Sequence, residues 1–314
     1  MKNIICWLSL VDKALHNALP VSDLPLFEAC VENILNRQVS GGGFAQRAGD
    51  GFRPDATAWS VLALSEEGLY HDVVEKARRH LSQKQLSDGR VPIYDGCDEA
   101  YWPTPLAILA WKKTGGFKKE IELAVKFLLE TWGINFPREK DSPLGHDPSI
   151  RGWPWDENTF SWIEPTSMGV LALKAVGFAG HDRVKEAVRM ILDRQLPSGG
   201  WNYGNTSVFN RELLPMPEHT GQALCALSGF VQYSEVEKSI EYARQQIPHL
   251  HTPLSFCWCS FGLAAWSIKQ NNVQERVLEI LSLQNKYGLY DTTLLAQLVI
   301  AYKTNGDLLR MIMS

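Results

Sequence analysis

The sequence predicts an all-α fold, an α/α toroid in which six outer–inner helix pairs close into a ring (an α6/α6 barrel), and three observations predict it. Six short segments are apolar and nearly uncharged on every side, which is how a helix reads when neighbours bury it all round. Each is preceded by a segment charged on one face only, the pattern of a helix with one side in water. Glycine-rich turns join the two kinds. A single pair leaves an apolar face that only the next pair can cover, so the repeats bury themselves by closing on one another.

The elements follow in order. Residues 1–20 read as an N-terminal helix: Ile4 to Val11 are mostly apolar, but Asp12 and Lys13 follow without the small-residue pattern of a cleaved leader. The repeats then run over residues 24–70, 71–115, 117–178, 181–231, 234–270 and 272–306, in one domain spanning 1–314, with an insertion at 133–162 in the third. The outer segments are CVENILNRQ, EKARRHLSQKQ, ELAVKFLLETW, KEAVRMILDRQ, EKSIEYARQQ and ERVLEILSLQ. The inner ones are PDATAWSVLAL, WPTPLAILAW, EPTSMGVLAL, EHTGQALCAL, CWCSFGLAAW and YDTTLLAQLV, all but the fifth with a Thr near the start, where Cys259 stands instead. The turns between them are QVSGGGF from Gln38, QLSDGRVP from Gln85, QLPSGGWNYG from Gln195 and the shortened QNKYGLY from Gln284. Glycine there supplies the positive φ that ends a helix.

Pro103 and Pro165 each precede the Thr by one residue, and proline suits the first helical position. That register predicts Asp55, Trp102, Glu164, Glu218, Cys257 and Tyr290 as N-caps. All six helix N-termini would then face one mouth of the ring, where their dipoles favour acids or an anionic ligand. Asp is a common cap; Glu is not, which marks Glu164 and Glu218 as residues kept for another reason. Tyr101, Trp102, Trp258 and Tyr290 fall at or beside helix starts, Trp59 lies one turn further in, and the insertion brings Trp155 and Trp162 just ahead of Glu164. Such a set shapes an apolar, aromatic cavity.

Composition narrows the field. A net charge of −4 with near-balanced acids and bases carries no electrostatic footprint for nucleic acid. No run approaches the roughly 20 apolar residues that span a bilayer, so membrane contact would be peripheral. Cys6, Cys30, Cys97, Cys225, Cys257 and Cys259 are scattered through a chain large enough to build its own core, the usage expected of reduced thiols in the cytoplasm.

The repeated Gln, short spacer, Gly-Gly and aromatic residue resembles the repeat of squalene-hopene cyclases, oxidosqualene cyclases and protein prenyltransferase β-subunits, from about Leu24 to the C-terminus. Class II terpenoid cyclases protonate an alkene or epoxide with the middle acid of Asp-x-Asp-Asp-Thr-Ala. The matching stretch here, residues 53–58, keeps Asp55, Thr57 and Ala58 but has Arg53 and Ala56 in place of the flanking acids. The resemblance therefore implies acid-initiated cyclisation of an isoprenoid or similar polyene, with Asp55 as donor and Glu164, Glu218 and His219 tuning it. Gly42, Gly43 and Phe44 followed by Arg47 resemble the substrate-side turn of prenyltransferase β-subunits, and His219-Thr220 resembles a zinc-ligand pair of that family. Its Asp-x-Cys ligands have no counterpart, since Glu164 and Pro165 stand there. His249, His251, Cys257 and Cys259 cluster shortly after, without the spacing of a known zinc motif.

Three functions stay open from the sequence: a cyclase-like enzyme without a cofactor, a non-catalytic toroid that binds a lipid or apolar peptide or serves as a subunit, and a zinc-dependent transferase with metal at His219, Cys257 and Cys259. Cyclases of the resembled class pair this toroid with a second helical domain, which implies a partner subunit or a homodimer.

Overall fold

The computed structural model describes residues 24–65, 68–113, 115–140, 142–209 and 211–314; the N-terminal helix expected over 1–20 lies outside them. The outer helices are α1 (Leu24–Leu35), α3 (His71–Gln83), α5 (Lys118–Glu130), α7 (Asp182–Asp193), α9 (Tyr233–Gln246) and α11 (Val273–Ser282). The inner helices are α2 (Pro54–Leu64), α4 (Pro103–Lys113), α6 (Ile163–Ala175), α8 (Pro217–Leu227), α10 (Pro253–Ala265) and α13 (Thr292–Thr304). A single turn, α12 (Gln284–Tyr287), precedes the last inner helix, and α14 (Leu308–Met313) follows it. The only paired strands among the described residues are the two-residue β1 (Ser207–Val208) and β2 (Arg211–Glu212), antiparallel in the fourth repeat.

Each inner helix packs on the next, and α13 returns to α2, so the ring is closed. Arg37 stitches first repeat to last, its Nη1 donating to the carbonyls of Gln46 and Tyr290, each at 2.9 Å. Every described residue of α2 is buried, whereas outer helix α7 buries only the face carrying Val184, Ala187, Val188 and Ile191. The two layers thus have the burial their sequences demand.

The repeat signature is scaffold, and its parts have separate duties. The recurring Thr receives a backbone N–H from the turn: Thr57 Oγ1 accepts from Phe44 at 2.8 Å, Thr104 from Val91 at 3.0 Å, Thr166 from Trp153 at 2.9 Å and Thr220 from Trp201 at 3.0 Å. Each bond satisfies a buried donor that would otherwise be orphaned. In the fifth repeat Cys259 Sγ instead donates to the Ala243 carbonyl at 3.4 Å. The recurring Gln ties its turn to the next outer helix, as where Gln38 Nε2 donates to Gly42 O and Val73 O, and Gln85 Nε2 to Gly89 O and Glu120 O. Gly89, at φ +100°, lies so close to the Leu123 carbonyl that an added Cβ would overlap it.

The helix starts correct the expected caps. Proline takes the first position of α2, α8 and α10, so Arg53, Met216 and Thr252 precede those helices, and Asp55 and Glu218 occupy the second helical position. In α6 the helix begins at Ile163 and Trp162 is the cap, which leaves Glu164 second and Pro165 third. Cys257 sits one turn inside α10, and Asp291 rather than Tyr290 precedes α13. Of the six, only Trp102 directly precedes its helix. The acids face the mouth from the first turn, where the macrodipole still favours them.

Candidate active site at the mouth of the ring

Five of the six inner helices converge on one cavity of ≈ 180 Å³ at their N-terminal end, each supplying a pair of residues four positions apart, with Trp102 of one pair directly preceding its helix and Pro165 a further residue of α6. That spacing puts one side chain at the mouth and the other a turn deeper on the same face. The outer ring is Asp55, Trp102, Glu164, Leu254 and Thr293; the inner ring is Trp59, Leu106, Met168, Trp258 and Gln297, with Pro165 beside Glu164. Trp59 and Trp258 meet edge to face with ring centres 5.8 Å apart. The depth is therefore apolar and aromatic except for Gln297, whose buried Oε1 has no hydrogen-bond partner. Helix α8 contributes none of these residues, because it is pressed against α10 through Gly221 and Gly262.

The two acids of the outer ring differ. Asp55, 5% exposed, is gripped by Arg53, whose Nε donates to Oδ1 at 3.0 Å and Nη2 to Oδ2 at 3.1 Å. Gln46 Nε2 adds a third bond to Oδ2 at 2.7 Å and also donates to Thr293 Oγ1 at 2.8 Å. Both carboxylate oxygens of Asp55 thus accept charge-assisted or amide hydrogen bonds. No ion pair with a described residue engages Glu164. Burial pushes its carboxyl above the usual carboxylate range and the Glu218 charge pushes the same way, against a hydrogen bond from the Trp155 side chain.

Behind Glu164 lies a second group. Glu218 accepts from Ser255 Oγ at 2.8 Å, and the His219 ring nitrogen Nδ1 pairs with Gln222 Oε1 at 2.9 Å. Burial lowers the His219 pKa and keeps the imidazole neutral. Trp162 stacks on Trp155 at 5.5 Å, Trp155 meets Tyr203 edge to face at 6.2 Å, and Tyr203 lies 4.6 Å from His219. This aromatic row packs around the Trp155 indole, which hydrogen-bonds Glu164.

Of the residues anticipated from sequence, Asp55, Glu164, Trp59, Trp102 and Trp258 line the cavity. Glu218, His219, Trp155 and Trp162 stand in the layer behind it. The others do not reach it. Arg47 pairs with Asp291 at 2.7 Å on the rim, Tyr101 packs on Phe127 beneath Arg90, and Tyr290 donates its hydroxyl to the Ile280 carbonyl. His219, Cys257 and Cys259 are not assembled, and no group of three metal-ligating side chains occurs among the described residues. Burial pushes the thiol pKa of Cys257 up and that of Cys259 up to about 12, which disfavours the thiolate a metal needs. Leu254, Thr293, Gln297, Met168, Gln46 and Tyr203 were not anticipated; the four-residue pairing along each inner segment was the signal that could have found the first four.

No described helix is long and apolar enough to cross a membrane. No protein-family model matches the chain, and no curated protein matches it in sequence. Solved structures do. An alpha-1,6-mannanase of Salegentibacter sp. superposes with TM-score 0.61 at 13% identity over 90% of this chain and 99% of that one. A family 76 glycoside hydrolase from a bovine Bacteroides thetaiotaomicron strain gives 0.59 at 15% over 90% and 77%. The type II terpene cyclase MstE from Scytonema gives 0.58 at 15% over 89% and 97%. At these identities the likeness establishes the fold: the chain is an α/α toroid, a scaffold on which these neighbours carry different chemistries.

Proposed function

We propose that the protein is a type II terpene cyclase-like enzyme that starts cyclisation of an apolar polyene with a proton from Glu164. The observation that carries this reading is the pairing of a half-buried carboxyl of raised pKa with three tryptophans in one cavity. A carboxyl whose pKa is raised stays protonated to higher pH than a free one and can deliver that proton to an alkene, and tryptophan faces stabilise the cation that results. The proton adds to one carbon of the terminal double bond, and the positive charge forms on the other. An internal double bond closes the ring with its electron pair, and the final cation loses a proton to water at the mouth, which returns it to Glu164. Substrate and product are isomers. Asp55, paired with Arg53, lines the same cavity. At ≈ 180 Å³ the cavity lies below the roughly 300–1,000 Å³ of common ligand pockets, so it suits a short chain or the reacting end of a longer one.

The neighbouring structures support a cyclase and a glycosidase alike. One mannanase is represented by an inactive variant in which two consecutive aspartates are asparagines. This sequence contains no two consecutive aspartates, and its cavity acids come from separate helices with apolar residues below them. Those features favour the cyclase. The chain covers 97% of the cyclase neighbour.

The test is incubation with polyprenyl alcohols of increasing length and analysis of products by gas chromatography and mass spectrometry. The expected product has unchanged mass and fewer double bonds. Glu164→Gln should lower turnover by about a hundredfold or more while a saturated analogue binds nearly as before. Activity should fall as pH rises through the elevated Glu164 pKa, because only the protonated acid reacts. A protein that binds the analogue but isomerises no polyene would be the non-catalytic lipid-binding toroid instead. Turnover that requires added zinc and is lost in His219→Ala would point to the transferase reading.

A further inference from the structure

A second concavity lies on the outside of the ring, far from the mouth. It is a groove of ≈ 670 Å³ along α5, bounded by the turns that follow α4 and α6. Its apolar seam is Ile121, Val125 and Leu129, with Val176 and Phe178, the latter 37% exposed, along one side. Lys118, Glu122, Lys126 and Glu130 run beside the seam, one per turn with alternating sign, and all four are exposed. No ion pair with a described residue engages any of them. On α3, α7, α9 and α11 comparable charges pair within the helix, as in Arg79–Glu75, Lys185–Asp182, Arg244–Glu241 and Arg276–Glu279.

The order of these charges has a symmetry. Lys118 and Glu130 are equally distant from Ala124, and so are Glu122 and Lys126. When two copies of α5 pack antiparallel about a two-fold axis passing beside Ala124, Lys118 faces the second copy's Glu130 and Glu122 faces its Lys126. A parallel two-fold would instead set each charge against its own kind. The surface is thus self-complementary in one orientation only, as an isologous interface requires. We propose that this face of α5 joins two copies of the chain into an antiparallel homodimer, with the apolar seam at its centre and the alternating charges as its rim. The proposal does not depend on the chemistry of the mouth, which opens at the other end of the inner helices.

Sedimentation velocity of the full chain over a range of concentrations tests it. The expected result is a rise toward twice the monomer mass that weakens as salt is added. The pair E122K and E130K makes the row wholly positive, and the pair K118E and K126E makes it wholly negative. Each double variant should self-associate about tenfold or more weakly than the parent, because like charges then face each other. Mixing the two variants should restore the dimer, since every Lys again meets a Glu. Carbodiimide cross-linking of mixed light and heavy copies of the unaltered protein should join Lys118 to Glu130 between copies, a reading independent of any variant. A chain that stays monomeric at the highest concentration reached, or double variants that dimerise like the parent, would overturn the proposal and leave the groove to another partner.

Discussion

Thr166 shows how one hydroxyl of the repeat supports the mouth. It is fully buried, and its Oγ1 accepts the Trp153 N–H at 2.9 Å. Trp153, 1% exposed, anchors the insertion that carries Trp155 to Glu164. Thr166→Val keeps the side-chain shape and removes the acceptor together with the hydroxyl's longer donation to the Trp153 carbonyl at 3.3 Å. The orphaned N–H has no route to water, since even a Cβ on neighbouring Gly152 would collide with the hydroxyl. Leaving such a donor unpaired costs about 1–3 kcal/mol, here taken as ~2 kcal/mol. With an unfolding entropy of about 2.1 cal/mol/K per residue, a 314-residue chain has ~0.66 kcal/mol/K, so Tm should fall by about 3 °C. Urea unfolding followed by tryptophan fluorescence measures the loss. Thr131→Val is the control, because its hydroxyl only back-bonds to the Phe127 carbonyl at a half-exposed helix end and should cost within about 0.5 kcal/mol. If Thr166→Val costs no more than this control, the hydroxyl is not the tether inferred from the repeat.

Two further outcomes follow from buried groups elsewhere. His146 is 4% exposed; burial first, and then the charges of Arg194 and Arg138, lower its pKa from 6.5 to about 4. The unfolded chain therefore takes up this proton near pH 6.5 while the folded one refuses it until about pH 4, so stability drains as pH falls across that window, by on the order of 3 kcal/mol. Urea midpoints at intervals from pH 7 to pH 4 should show the decline, and His146→Gln should flatten it; an equally steep decline in the variant would assign the acid sensitivity to other groups. Gly221→Ala would drive a Cβ into the Trp258 carbonyl where α8 and α10 touch, with Gly262 directly opposite. Because backbone must move, the expected cost is about 3 kcal/mol or more, and a thermal shift under about 2 °C would contradict so close an approach.

The ring itself was legible in the sequence. Burial on all sides and burial on one side leave different residue patterns, and repetition of both dictates closure. The turn motif was legible for the same reason: a Gly pressed on a carbonyl, a Gln bridging to the next helix and a Thr receiving a turn N–H are local needs repeated in each unit. Individual acids were legible only as positions. Asp55 and Glu164 look alike along the chain, each in the first turn of an inner helix. Their difference comes from Arg53 folding back on one, Gln46 reaching it from the preceding turn, and the Trp155 insertion closing over the other. Likewise Tyr101 and Tyr290 sit at helix starts yet turn away into repeat junctions, while Leu254 and Gln297 face the cavity. The sequence by itself determined the secondary structure, the repeat and the end of the ring where the acids and aromatic residues gather, because those depend on periodicity and on contacts within or between adjacent repeats. Only the tertiary structure decided which acid is paired with a cation and which has its pKa raised by burial, because solvation and charge pairing depend on residues that meet in space from helices far apart in the chain.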